Sequence, residues 1–333
     1  MTKSSSRARI TDVARVAGVS LATVSRVMNG NPTVDATLAA RVRAVAADLG
    51  YTADPVARSL VLGRTQTVAV VIPDLANPTF QGILRGLSRA AADDDYHVLI
   101  ADSAEQVDVE VGLVGTTRRR TDGVVLCAPR MSAADLAALL PSVTPAVVIN
   151  RLPQEAAPTV SADYGTAMTQ IIEHIHGLGH RRVAYLSGVA GSASGSARRA
   201  ALEAARARHG DLDIVELAAG VGFDSGAAVA DDVLATGATA VLAFNDLVAM
   251  GLLSTLAERG IRVPDDISVT GFDDIPFARY TTPPLTTAAV PAAELGQRAW
   301  AAMRALLHDH EPASAVLTPE LVVRESTGPA PSH

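Results

Sequence analysis

Amide, guanidinium and carboxylate side chains stand where apolar runs stop: Asn77 after Val68–Ile72, Asn150-Arg151 after Ala146–Ile149, Arg198 beyond Arg182–Leu186, Asn245-Asp246 after Ala240–Phe244, and Asp273-Asp274 after Ser268–Phe272. An arginine donates in a fork, a carboxylate accepts from two hydroxyls and an amide does both, so this set suits a polyhydroxylated solute. Taken singly, each has a plainer duty at the surface or as a helix cap. Five sites together at strand ends favour a binding site. A second set lies near the start of the chain. Leu21, Ala22, Ser25, Arg26 and Asn29 point away from the stripe Val24, Val27 and Met28 of one short helix. Arg26 can fork onto the O6 and N7 of a guanine, a contact worth about 1–3 kcal/mol of discrimination, while Leu21 and Ala22 offer only apolar contact.

Other groupings carry less. His174, His176 and His180 have metal-like spacing, but the first two diverge on a helix. No metal and no cofactor is implied. The run from Gly191 to Gly195 has Ala193 where a nucleophile-elbow serine would stand, and it lacks the Lys-Ser/Thr of a phosphate loop. Without a nucleophile–base pair or a metal set, an enzyme is disfavoured. Cys127, the single cysteine, sits in an apolar run and reads as a small buried hydrophobe.

The elements that would position the second set form a helix-turn-helix. Thr11 caps a first helix with Val13, Ala14 and Ala17 on its apolar face; Gly18 turns the chain; Ser20 caps the second helix. Such a second helix is the one offered to a DNA major groove, with Thr23 and Ser25 nearer phosphate. Asp35 caps a third helix whose Leu38, Val42, Val45 and Leu49 cover the first two; Gly50 ends it and Tyr51 packs at its exit. Asp54-Pro55 opens a further helix to Leu60, too short to be stable alone.

The first set needs a different scaffold. Strands at 68–72, 97–101, 123–127, 146–149, 182–186, 214–217, 240–244 and 268–272 alternate with helical stretches, the rhythm of parallel α/β sheets. The series is too long for one doubly wound sheet. Two lobes are expected, one over 67–160 with a returning segment 291–324, the other over 161–290. A ligand would lie beyond the carboxyl ends of the strands, between the lobes. Arg118-Arg119-Arg120 reads as a solvated helix end, and the tail beyond Arg324 as disordered.

The 333 residues carry a net charge of −7, unevenly: residues 1–64 hold nine Lys and Arg against four acids, leaving −12 for the remainder. A basic head on an acidic body suits phosphate attraction. No apolar run spans a membrane and no signal peptide is evident, so a cytoplasmic place is expected.

Val13 to Gly30 (Val-Ala-x-x-Ala-Gly-Val-Ser-x-x-Thr-Val-Ser-Arg-Val-x-Asn-Gly) resembles the headpiece of the lactose/galactose-repressor family of bacterial transcription regulators. Asn-Pro-x-Phe (77–80), Leu-Gly-His-Arg-Arg (178–182), Phe-Asn-Asp (244–246), Gly-Phe-Asp-Asp (271–274) and Pro-Pro-Leu-Thr-Thr (283–287) extend the likeness over nearly the whole chain. The resemblance implies an α/β protein: an all-α helix-turn-helix headpiece (1–53), a hinge helix and linker (54–66), then a two-lobed body like that of periplasmic sugar-binding proteins. By that match Leu60 wedges between bases in the minor groove, with Ala57 beside it and Arg58 near phosphate, and Asn77, Phe80, Arg151, Arg198, Asn245 and Asp273 line an effector cleft. The implied partners are a pseudo-palindromic operator, a small effector of carbohydrate type, and a second copy in a homodimer, a tetramer being the alternative. A transport-associated solute receptor shares the body but lacks the basic head.

Departures bear on the effector. Thr79, Val221 and Ala193 stand where relatives carry aromatics, Asn150 where sugar binders carry aspartate, and Val290 where glutamine is frequent. A pocket with one ring, Phe80, has little stacking for a pyranose. A pentose, polyol, nucleoside or sugar phosphate stays open.

Overall fold

The computed structural model describes residues 8–28, 33–51, 63–189 and 191–331. Asn29, Ala57, Arg58, Leu60 and the expected hinge helix lie outside the described residues. The chain divides into two compact units, Met1–Gln66 and Thr67–His333.

In the first unit, α1 (Ile10–Ala17) begins earlier than the Thr11 cap expected from sequence. Asp12 receives the Arg9 backbone N–H at 3.0 Å, which fixes the start upstream and leaves Thr11 exposed inside the first turn. Gly18 takes φ 65°, a left-handed stop open to glycine at no steric cost. Ser20 Oγ accepts from Thr23 N at 3.1 Å and starts α2 (Leu21–Met28). Asp35 accepts from the Thr37 and Leu38 amides, both at 3.0 Å, to start α3 (Ala36–Asp48). The buried stripe of α3 is Ala39, Val42 and Ala46, with Leu38 and Val45 at its flanks and Leu49 exposed. Small residues let α3 approach two short helices closely, so the larger apolar side chains frame the contact instead of filling it. Val13, Ala14, Ala17, Val24 and Val27 complete that core, and Tyr51 packs against it.

The second unit opens with β1 (Thr67–Ile72), α4 (Pro78–Ala92), β2 (His97–Asp102), α5 (Val107–Arg118), β3 (Gly123–Cys127), α6 (Ala133–Leu139), β4 (Ala146–Ile149) and β5 (Thr159–Ala162). It crosses to α7 (Tyr164–Gly177), β6 (Arg182–Ser187), α8 (Ala193–Arg208), β7 (Asp213–Ala218), α9 (Phe223–Ala228), α10 (Ala230–Ala235), β8 (Ala240–Leu242), α11 (Asp246–Glu258) and β9 (Ser268–Thr270). It returns through β10 (Thr287–Ala289), α12 (Ala292–Leu307), β11 (Ala315–Leu317) and β12 (Glu320–Val322). Two parallel sheets result, in the orders β11-β5-β4-β3-β1-β2 and β7-β6-β8-β9. β10 and β12 pair antiparallel as a small third sheet. β1 and β3, neighbouring inner strands of the first sheet, are apolar along nearly their whole length because both faces are covered.

Helices α4 and α12 pack backbone to backbone: a Cβ on Gly86 would lie 2.0 Å from the Ala293 carbonyl oxygen, and one on Gly296 2.1 Å from that of Ile83. Residue 160, the expected edge of the first lobe, falls inside β5. The tail is ordered where disorder was expected. Ser326 is fully buried, its Oγ accepting from Thr286 N at 2.8 Å and donating to the Val269 carbonyl at 2.6 Å. His180 binds the Gly328 carbonyl at 3.0 Å and His174 binds Thr327 at 3.0 Å. Backbone and side-chain bonds of this kind overcome a composition that otherwise favours disorder. Arg118 is half-buried, its guanidinium donating to the carbonyls of Thr121, Val143 and Thr144, while Arg119 and Arg120 are exposed.

Candidate functional site

The carboxyl ends of both parallel sheets face one cavity of about 40 Å³ within the second unit. From the first sheet's side come Asn77, Thr79 and Phe80 at the start of α4, Glu105 after β2, Ala128 and Arg130 after β3, and Asn150 after β4. From the other side come Tyr164, Ser194, Arg198, Val221, Phe244, Asn245 and Asp273. Five of the six residues singled out from sequence therefore meet here. Arg151 does not: its Nη1 donates to the Pro129 and Met131 carbonyls at 2.8 and 3.1 Å. Asn150, at φ 56°, is the residue of that pair that faces the cavity.

Several of these groups also do structural work. Asn77 Oδ1 caps α4 by accepting from Thr79 N at 2.9 Å, where Pro78 suits the first turn. Asn245 Oδ1 caps α11 through Val248 N, and its Nδ2 donates to the Val221 carbonyl, both at 2.9 Å. Asn150 Oδ1 accepts from Ala162 N at 3.0 Å and ties β4 to β5.

Arg198 is the centre of the arrangement. It is 2% exposed, and its Nε and Nη1 have no hydrogen-bond partner among the described residues. Its guanidinium carbon lies 4.7 Å from the Tyr164 ring centroid, 4.5 Å from that of Phe244 and 3.9 Å from that of Phe272. Cation–π attraction stabilises the desolvated charge, by about 2 kcal/mol or more for a buried contact. The expectation of a single ring is corrected: Tyr164 and Phe244 join Phe80 in the lining, although their faces are turned to Arg198. Asp273 receives the Thr79 hydroxyl on Oδ2 at 2.9 Å. Burial pushes its carboxyl up to about 6, against the lowering effects of Arg198 and the Thr79 hydrogen bond. Asp246 turns away from the cavity: fully buried, it accepts from Thr287 Oγ1 at 2.6 Å and Ile275 N at 2.8 Å. Burial first, then the Asp273 charge, hold it well above the ordinary carboxylate value. Cys127 is buried, and desolvation pushes its thiol up to about 12.

Glu105 and Arg130 went unnoticed in the sequence. Each lies three residues past a strand end, as the recognised residues lie just past theirs, so the same rule applied to β2 and β3 finds them. The three histidines of metal-like spacing are engaged elsewhere, His176 with Asp211 and the other two with the tail.

In the first unit, α2 turns Leu21, Ala22 and Arg26 outward, with Leu21 48% exposed. Thr23 and Ser25 are half-buried, and Ser20 is committed to the cap. No helix among the described residues is long and apolar enough to cross a membrane.

Comparison with known proteins agrees with both units. Residues 9–54 match the model of bacterial regulatory proteins of the lacI family, and residues 172–327 match a periplasmic binding protein-like domain. The HTH-type transcriptional repressor CytR of Escherichia coli (strain K12) is 31% identical over 99% of both chains. The lac repressor dimer bound to operator and the anti-inducer ONPF superposes with a TM-score of 0.87 at 26% identity, over 97% of this chain and all of that one. A lacI-family regulator from Enterococcus faecium with bound ribose gives a TM-score of 0.69 at 25% identity, over 79% of this chain and 99% of that one. The helix-turn-helix and the two-sheet body that follows it in sequence are thus matched end to end by such regulators, and the chain belongs to the lacI family of bacterial regulatory proteins, transcriptional regulators that bind DNA and answer to a small effector.

Proposed function

We propose that this regulator represses transcription as a cytoplasmic homodimer on a pseudo-palindromic operator, and that a small polyhydroxylated metabolite seated around Arg198 controls its grip. Arg198 carries this reading. A guanidinium withdrawn from water whose Nε and Nη1 lack a partner among the described residues is costly to keep, and the cost is offset when a ligand supplies the acceptors. The cavity is too small for a sugar as it stands, so the lobes must part and re-close around the effector, a hinge motion able to bias the two heads of a dimer. Leu21, Ala22 and Arg26 are assigned to base edges. Thr23 and Ser25 are assigned to the phosphate side, Thr11, Ser20 and Asn29 to the DNA-binding face, and a hinge places Leu60 in the minor groove with Ala57 beside it and Arg58 near phosphate.

Coupling of this kind is reciprocal, so operator DNA must change effector affinity by the factor by which effector changes DNA affinity. The test is a thermal-shift screen of the full chain against pentoses, polyols and nucleosides, followed by operator binding with each hit. Arg198→Ala should keep operator binding and lose the effector response. A fully responsive variant would move the pocket elsewhere. That the relatives are transcriptional regulators favours this reading over an enzyme.

A further inference from the structure

The cavity is rich in unused donors and poor in unused acceptors. Arg130 is built into it with some care. The carboxylate of Glu110, itself 1% exposed, accepts from Arg130 N at 3.0 and 2.9 Å and from Met131 N at 2.7 Å, which fixes the backbone there. Glu105 then takes the side-on edge of the guanidinium, Nε at 2.6 Å and Nη2 at 2.8 Å. The side chain is 9% exposed. The two side-chain bonds engage Nε and Nη2 and leave the terminal edge, with Nη1, as the part of the guanidinium that Glu105 does not take. Arg198 contributes further donors without partners from the opposite side of the cavity. Arg130, Arg198 and Asp273 all line the cavity, and Tyr164 lines it with them.

Most of the side-chain acceptors are already engaged. Both Glu105 oxygens are held by Arg130, and Asp273 Oδ2 holds the Thr79 hydroxyl. The side-chain oxygens of Asn77, Asn150 and Asn245 hold backbone N–H groups. A hydroxyl would bring a proton that needs an acceptor of its own. An oxyanion brings several lone pairs and no proton, and its parallel oxygens match the flat edge of a guanidinium. With the faces of Arg198 covered by rings, its edge is the part left for a ligand.

We infer that the effector carries an oxyanion, a phosphate or a carboxylate, clamped between Arg130 and Arg198. This rests on the reading of the cavity as the effector site. The test compares thermal unfolding of the full chain with ribose, ribose 5-phosphate, ribonate and inorganic phosphate, at matched ionic strength and neutral pH. The expected result is a rise in midpoint with inorganic phosphate and with at least one of the two sugar oxyanions, larger than with ribose. Which of the two is preferred tells phosphate from carboxylate. Apparent affinity should fall at least tenfold in Arg130→Gln, less in Arg130→Lys, and stay unchanged in Arg85→Gln, an exposed arginine of α4 outside the cavity. No rise with any anion, or equal rises in the wild type and Arg130→Gln, overturns the inference. A shift with ribose alone, lost in Asp273→Asn and kept in Arg130→Gln, overturns it while sparing the cavity as the effector site. Shifts that survive substitution of Arg130, Arg198 and Asp273 alike remove both.

Discussion

The Thr79 hydroxyl donates to Asp273 Oδ2 at 2.9 Å, joining the start of α4 to the loop after β9 across 194 residues of chain. It links the two sheets' sides of the cavity directly. Thr79 occupies a position where the family resemblance led to an aromatic ring, so a stacking surface has been exchanged for a fastening. Thr79→Val keeps the shape and removes the donor. It should cost about 1 kcal/mol in urea unfolding, the usual net worth of one such bond, and speed hydrogen exchange at the start of α4. Thr79→Ser should restore both. Unchanged exchange in Thr79→Val would mean that the bond does not hold the cavity closed.

Asp246 and Asp273 give the fold a definite pH dependence. Both carboxyls are raised above their ordinary value in the folded chain, Asp273 to about 6 and Asp246 in the same direction. The native state therefore binds these protons more tightly than the unfolded one. Their contribution to stability is greatest at low pH and is lost as pH rises through the folded-state values. Asp246→Asn is a neutral isostere that can still accept from Ile275 N and offer a partner to Thr287. Its urea midpoint should gain on the wild type as pH rises from about 4 to 8. A gap that stays constant over that range would show that Asp246 does not titrate there.

Much of this was legible because local chemistry and the fold agree. Asp35 and Ser20 cap where capping residues should, and the apolar runs at β1 and β3 are strands because no polar residue interrupts them. Legibility failed where the determinant was not local. β5 and β10 to β12 are three or four residues long and take their pairing from distant strands, so no run announced them. The rings around Arg198 come from α7 and from the ends of β8 and β9, and only the folded chain brings them together. Arg151 and Arg130 are chemically equivalent on paper. Which one enters the cavity depends on where Glu105 and Glu110 stand and on carbonyls that capture Arg151.

The C-terminal tail should behave as part of the body, contrary to its composition. Ser326→Ala removes the acceptor of a buried Thr286 N–H and the donor to the Val269 carbonyl. Leaving a buried backbone group unpaired costs about 1–3 kcal/mol, so a drop of that size in urea unfolding is expected. Truncation after Arg324 should cost more, because the His180 contact to Gly328 and the Ala330 N–H bond to the Leu178 carbonyl go with it. A truncated chain of wild-type stability would show that the tail contributes nothing.

Two residues at opposite ends of α2, Ser20 at its cap and Arg26 in its last turn, separate stability from recognition. Ser20 Oγ holds the Thr23 amide at 3.1 Å, so Ser20→Ala acts by loosening the helix end, at about 1 kcal/mol. Operator and random DNA should both be bound more weakly, in similar proportion. Arg26 is exposed on the outward face and its loss touches no packing. Arg26→Ala should leave the unfolding midpoint unchanged, cost about 1–3 kcal/mol of operator affinity and relax the preference at one base pair of each half-site. Binding selected sequences from a randomised pool measures both effects. If Arg26→Ala weakened all sequences evenly and lowered the salt dependence of binding instead, the residue would belong on a phosphate and the base reading would pass to Leu21 and Ala22.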